Sequence, residues 1–178
     1  FDDEEQRVER EFTGKNVRIV GPILDPLVRE LSREKSVSGT LLVNLGGAED
    51  PISEERFLCA RTISQLFSHL PELGLFPRKV LAVGPKQKDK LLSLEKEGFE
   101  VVTLDHTSFL RELAGAALFC TTPGLTATFE SFALRVPCVF LPPFNYSQFL
   151  NLLAFRQNGA APLGVHWADY GIGSDIHK

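Results

Sequence analysis

Ala116-Ala117-Leu118-Phe119-Cys120-Thr121 is apolar for the length of a strand and breaks at Thr122-Pro123-Gly124; Leu125-Thr126-Ala127-Thr128-Phe129-Glu130-Ser131 then takes up a helical pattern. A continuous apolar run that stops at a Pro-Gly turn and gives way to a helix reads as a buried parallel strand feeding its crossover. A helix that starts there presents free backbone amides, a ready site for an anion. Thr122, Thr126 and Thr128 add hydroxyl donors. Glu130 falls about one turn into the helix, where a carboxylate can accept two hydrogen bonds from a vicinal diol such as a ribose. The same residues also suit a purely structural role, with Thr126 capping the helix and Glu130 supporting it from the first turn.

Outward from this stretch the alternation repeats. Thr40 to Leu45, Lys79 to Val83, Phe99 to Leu104 and Pro137 to Leu141 read as strands. Pro51 to Leu70, Gln87 to Glu97, Ser108 to Gly115, Thr126 to Leu134 and Gln148 to Asn158 read as helices, the last stopped by Gly159. Upstream, Val17 to Val20 reads as a short strand and Asp25 to Lys35 as a connecting segment. Strict alternation with continuously apolar strands predicts an α/β fold, a parallel sheet covered by helices on both faces. Such sheets bind ligands beyond the carboxyl ends of their strands, so function belongs in the loops that follow them.

Two more of those loops carry candidates. The first strand ends in Asn44-Leu45-Gly46-Gly47, and adjacent glycines let backbone amides approach a phosphate, although a plain turn needs the same residues. Neither GxGxxG nor a Gly-Lys-Ser/Thr loop follows, so the common dinucleotide and Walker signatures are absent at this strand. The last strand leads through Pro142-Pro143-Phe144 to Asn145, Ser147 and Gln148. Gln148 and Asn151, three apart, share a face at a helix start.

The chain has 178 residues and a net charge of −4. That balance excludes a general nucleic-acid binder, which needs a basic surplus to meet phosphates. No run reaches the ~20 apolar residues of a membrane span. Cys59, Cys120 and Cys138 form no close pair, which fits a reducing compartment and a cytoplasmic location. The sequence contains no methionine, so a fragment of a longer protein is expected.

Taken together, Gly124, Thr128-Phe129-Glu130-Ser131, Val136-Pro137, Pro142 and Gln148 to Asn151 resemble the donor-binding half of GT-B glycosyltransferases. The stretch is similar both to the nucleotide-sugar signature box of UDP-glycosyltransferases and to its counterpart in MurG-like and macrolide glycosyltransferases. Gly46-Gly47 is similar to the glycine loop after the first strand of that half, and Val20-Gly21-Pro22 to the linker leading into it. The resemblance implies a Rossmann-like parallel sheet, the C-terminal half of such an enzyme, with residues 1–36 as interdomain linker, 37–166 as donor-binding domain and 167–178 as a truncated tail. It implies that Glu130 holds the ribose hydroxyls and that Gly124, Leu125 and Thr126 meet the diphosphate. Leu104, Asp105 and His106 would read the nucleobase through their backbone. Gly46, Gly47, Thr122, Ser147 and Gln148 would line the phosphate and sugar side. Two positions depart from the pattern: Thr122 replaces a histidine that touches a phosphate, and Ser147 replaces an acidic residue that binds sugar hydroxyls.

The chemistry so implied is transfer of a sugar from a UDP- or dTDP-linked donor to an acceptor. Helix dipole and amides, with no cofactor or metal, would stabilise the departing diphosphate. The catalytic base and the acceptor site would come from an absent N-terminal domain, so no base is assigned among Asp105, His106 and Asp169, and the chain alone is expected to bind a donor without turning it over. The related fold of nucleotide-sugar 2-epimerases and hydrolases, and a non-catalytic nucleotide-sugar- or partner-binding module, are the alternatives.

Overall fold

The computed structural model describes residues 10–13, 15, 20–32, 38–45 and 75–160. The expected helix over 51–70, the Gly46-Gly47 loop, residues 17–19 of the expected first strand and the tail from 165 lie outside them.

Five parallel strands form one sheet: β1 (Thr40–Asn44), β2 (Arg78–Ala82), β3 (Phe99–Val102), β4 (Ala116–Thr121) and β5 (Cys138–Phe140), in spatial order β3-β2-β1-β4-β5. The chain winds outward from β1 through β2 to β3, then returns to the other side of β1 for β4 and β5. The reversal falls between β1 and β4, and in open α/β sheets that is where the crevice for a ligand opens.

Side chains alternate across this sheet. Leu41, Val43, Leu81, Val101 and Cys120 point to one face, where α2 (Pro85–Leu91) and a following 3-10 turn (Leu92–Glu97) contribute Leu91 and Leu94. Leu42, Val80 and Phe119 point to the other, where α1 (Pro26–Leu31) and α3 (His106–Gly115) bring Val28, Leu31, Phe109, Leu110 and Leu113, and α4 (Leu125–Ala133) adds Ala127 and Ala133. β1 and β4 are therefore apolar on both sides, which is why they read as unbroken runs, whereas Glu100 of β3 is exposed and pairs with Arg78 of β2. α5 (Tyr146–Gln157) closes the β5 edge with a third cluster of Phe140, Leu152 and Phe155.

The sequence reading differs from this at two places. Asp25 to Lys35, expected to be a connection, contains α1. Its six residues are too short for a periodic signal beyond Val28 and Leu31, and Asp25 caps it while Pro26 occupies its first turn. The helix expected over 87–97 tightens into 3-10 geometry at Leu92 and is stopped by Gly98, whose φ of 83° is left-handed.

α4 is fixed at both ends. At its far end Arg135 takes a left-handed φ of 56°, and the Arg135 and Val136 amides donate to the Phe132 and Ser131 carbonyls at 3.0 and 2.9 Å. On its flank Phe129 and Phe132 meet the Phe155 ring edge-on, with centroids 6.0 Å away in each case, while Phe140 stacks on Phe155 at 5.2 Å and 11°. Phe155 is 1% exposed, so its ring joins α4, β5 and α5. Truncating it removes contacts on three elements: Phe155→Ala is expected to lower unfolding stability by about 3–5 kcal/mol in urea titrations. A loss below ~1 kcal/mol would show that α5 does not depend on this ring.

Candidate functional site

All five strands end on the same edge, so the loops singled out from the sequence converge there. Register places Asn44 of β1 beside Thr121 of β4, and the Thr122 amide donates to the Asn44 carbonyl at 3.3 Å. The next residue carries the Thr122 hydroxyl, which donates to the Leu45 carbonyl at 3.2 Å. Gln148 Nε2 lies 3.4 Å from that hydroxyl oxygen, and Gln148 Oε1 accepts the Phe144 amide at 2.7 Å. Asn151 Nδ2 donates to the Pro123 carbonyl at 3.0 Å. The 122–123 turn is thus braced from β1 on one side and from α5 on the other. Gln148 and Asn151 share a face, as expected from their spacing, and that face holds the turn. Thr122 is buried with its hydroxyl proton committed to Leu45.

The turn delivers the start of α4. Gly124 is the N-cap residue and carries no side chain to cap with, so Thr126 is not the cap; it and Leu125 are exposed in the first turn. By contrast α1, α3 and α5 are capped by the side chains of Asp25, Asp105 and Asn145. The first amides of α4 therefore lack both intrahelical partners and a side-chain acceptor. Gly124 itself has an ordinary extended conformation, φ −79° and ψ 158°. A Cβ built there would meet only the Thr122 carbonyl oxygen, at 3.9 Å. Nothing inside the described protein demands a glycine here; its effect is to leave the mouth of the helix open. Thr128, read as a further hydroxyl donor, is wholly buried one turn below, and its Oγ1 has no partner among the described residues.

Glu130 lies deeper in α4 than the first turn, which excludes the supporting role considered for it there. It is 2% exposed. Among the described residues its carboxylate accepts no hydrogen bond and has one basic side chain within ion-pair distance, His106, whose Nε2 stands 3.3 Å from Oε1. Buried carboxylates ordinarily collect several donors, so one without any is an open acceptor. Burial pushes its carboxyl above the ordinary carboxylate range, the nearby Asp25 charge adds to that, and His106 opposes it.

His106 begins α3, directly after its cap. The Asp105 carboxylate accepts the Ser108 amide at 2.9 Å and the Ser108 hydroxyl at 2.8 Å, bonds that hold its carboxyl below the usual range. Leu104 packs into the core face shared by α1 and α3. His106 Nε2 also lies 3.6 Å from Asp25 Oδ2, while Asp25 Oδ1 accepts the Leu27 amide at 2.8 Å to cap α1. Asp25 is the member of this cluster that the sequence did not suggest. The Asp-Pro start of a short helix was its only signal. Ser147 is exposed in the first turn of α5, and Gly46 and Gly47 lie outside the described residues.

No family model matches the sequence, and no curated protein matches it. Solved structures do match in shape. Os79 from O. sativa, in complex with U2F and trichothecene, superposes with a TM-score of 0.65 at 16% identity over 95% of this chain and 39% of its own. Medicago truncatula UGT71G1, complexed with UDP-glucose, gives 0.57 at 19% over 92% and 39%. The fold is that of a GT-B glycosyltransferase C-terminal domain. The Methanocaldococcus jannaschii UDP-GlcNAc 2-epimerase, in complex with UDP-GlcNAc and UDP, gives 0.50 at 18% over 80% and 38%. The chain spans about two fifths of the length of these proteins. Among the described residues no helix is long and apolar enough to cross a membrane, and no three His, Cys, Asp or Glu side chains group as a metal site.

The cost of burying Glu130 has a measurable sign. A raised folded pKa means that ionisation opposes folding: the contribution is most favourable below the unfolded carboxyl range and is lost as pH rises through the folded pKa. Glu130→Gln mimics the neutral acid. It is expected to leave the thermal midpoint unchanged at pH 4 and to raise it by a few degrees at pH 8, about 2–4 °C per kcal/mol at this size. A midpoint that falls at pH 8 would mean that the ion pair with His106 outweighs the burial cost.

Proposed function

We propose that this chain is the donor-binding part of a nucleotide-sugar-dependent glycosyltransferase. The observation that carries this is Glu130, a buried carboxylate without hydrogen-bond donors among the described residues, set beside an uncapped helix start at the reversal point of a parallel sheet. A nucleoside diphosphate supplies what each feature lacks. Its ribose diol gives two donors to the carboxylate, and its diphosphate gives the acceptors and the negative charge that the α4 amides favour. In this reading Gly124, Leu125 and Thr126 meet the diphosphate, and the backbone of Leu104, Asp105 and His106 flanks the base. Ser147 and Gln148 are assigned to the phosphate and sugar side, as Gly46 and Gly47 are by the resemblance of their sequence. Thr122 contributes by fixing the turn through Leu45 and Gln148.

Departure of the diphosphate concentrates negative charge at that helix start. Amides already aimed there stabilise it without reorganising, which lowers the barrier to glycosyl transfer. The acceptor and its base belong to a further domain, so the transferase activity belongs to the longer protein. The shape similarity to the UDP-GlcNAc 2-epimerase supports a second reading, in which the sugar is epimerised rather than passed on. Release of N-acetylmannosamine from UDP-GlcNAc without an acceptor is the outcome that would favour it.

Calorimetric titration with UDP and dTDP tests the donor site. Glu130→Ala is expected to weaken binding by about 1.5–3 kcal/mol, the worth of hydrogen bonds to a charged group. Gly124→Ser is the sharper probe, because serine is at least as good an N-cap as glycine. It is expected to keep or slightly raise stability while filling the helix mouth and lowering affinity at least tenfold. Binding that survives both substitutions, or its absence from the wild type, would refute the assignment.

A further inference from the structure

The Glu130 site has a neighbour whose side chain the donor-binding reading does not use. The His106 imidazole stands between two carboxylates, 3.3 Å from Glu130 Oε1 and 3.6 Å from Asp25 Oδ2. Its side chain is 50% exposed and that of Glu130 2%. The three groups come from three elements: the first residue of α3, the body of α4 and the cap of α1. The other charge next to His106 is Asp105, whose two oxygens are taken up by Ser108.

A buried carboxylate with no hydrogen bonds has two routes to relief: it takes up a proton, or it keeps a cation beside it. As a protonated acid it would offer a ribose diol a poorer acceptor, because one oxygen becomes a donor. Among the described residues the only basic side chain within ion-pair distance of Glu130 is His106. Asp25 pulls the same imidazole toward α1, so the side chain is held between two fixed points.

We infer that His106 is a positioning residue for nucleotide binding: its imidazolium, anchored by Asp25, holds the Glu130 carboxylate ionised and in place to receive the ribose hydroxyls of a nucleoside diphosphate. This rests on the donor reading of Glu130. The imidazolium also leaves the Asp25–His106–Glu130 cluster with one net negative charge, where a neutral side chain such as glutamine leaves two, which eases the approach of the diphosphate.

UDP-glucose is the suitable probe, since both of its phosphates are esterified and do not titrate between pH 5.5 and 8. At a single fixed pH His106→Gln is expected to bind it about three- to tenfold more weakly than the 178-residue wild-type chain. His106→Lys, which keeps a cation at that place, is expected to restore affinity. A second measurement needs no ligand: the Glu130 carboxyl titration, followed by NMR through its side-chain carbon, moves to higher pH in His106→Gln. An unmoved titration, or binding by His106→Gln as tight as or tighter than wild type, overturns the inference. Failure of wild type to bind UDP-glucose while the Glu130 titration still moves overturns the donor reading instead and leaves the charge bridge standing.

Discussion

The site rests on the parallel pairing of β1 with β4. That pairing sets Asn44 level with Thr121, and from it follow the backbone bond to Thr122, the hydroxyl bond to Leu45 and the direction in which the chain enters α4. β1 and β4 are also where the winding of the sheet reverses, so helices on either side diverge and leave the end of the strands uncovered. Moving the pairing by one residue would turn Phe119 and Cys120 to the wrong faces of the core and carry the 122–123 turn away from the β1 loop.

Much of the fold was legible because the residues that form it act locally. β1 and β4 are apolar on both faces, and the turns are marked by Gly, Pro or an Asx cap. The helix at 26–31 was not legible, since six residues hold too little periodicity and its stability comes from packing against α3 and α4. The change to 3-10 geometry at Leu92 likewise has no clear mark in the sequence before Gly98.

The site was legible in its parts and not in its connections. Gly124, Glu130 and the Gln148–Asn151 face were apparent from residue type and spacing. That Thr122 and Gln148 hold each other, or that His106 meets Glu130, depends on side chains brought together from 24 to 26 residues apart, distances at which sequence carries no pairing signal. Asp25, more than a hundred residues from Glu130, could come only from the structure. The buried Glu130 carboxylate is also where local rules are broken, since burial opposes its charge.

The clasp on the 122–123 turn bears on the order in which the chain becomes competent. Leu45 reaches Thr122 across 77 residues, and Gln148 and Asn151 reach back across 26 and 28. Such distant contacts close after local helices have formed. During synthesis, which proceeds from the amino terminus, β1, β4 and α4 all emerge before the residues that brace the turn between them. The helix mouth is therefore secured only when α5 has left the ribosome and folded back. A nascent chain stopped short of residue 151 holds most of the sheet and Glu130 but lacks part of the clasp, so a fully braced turn marks a chain folded through its last described helix.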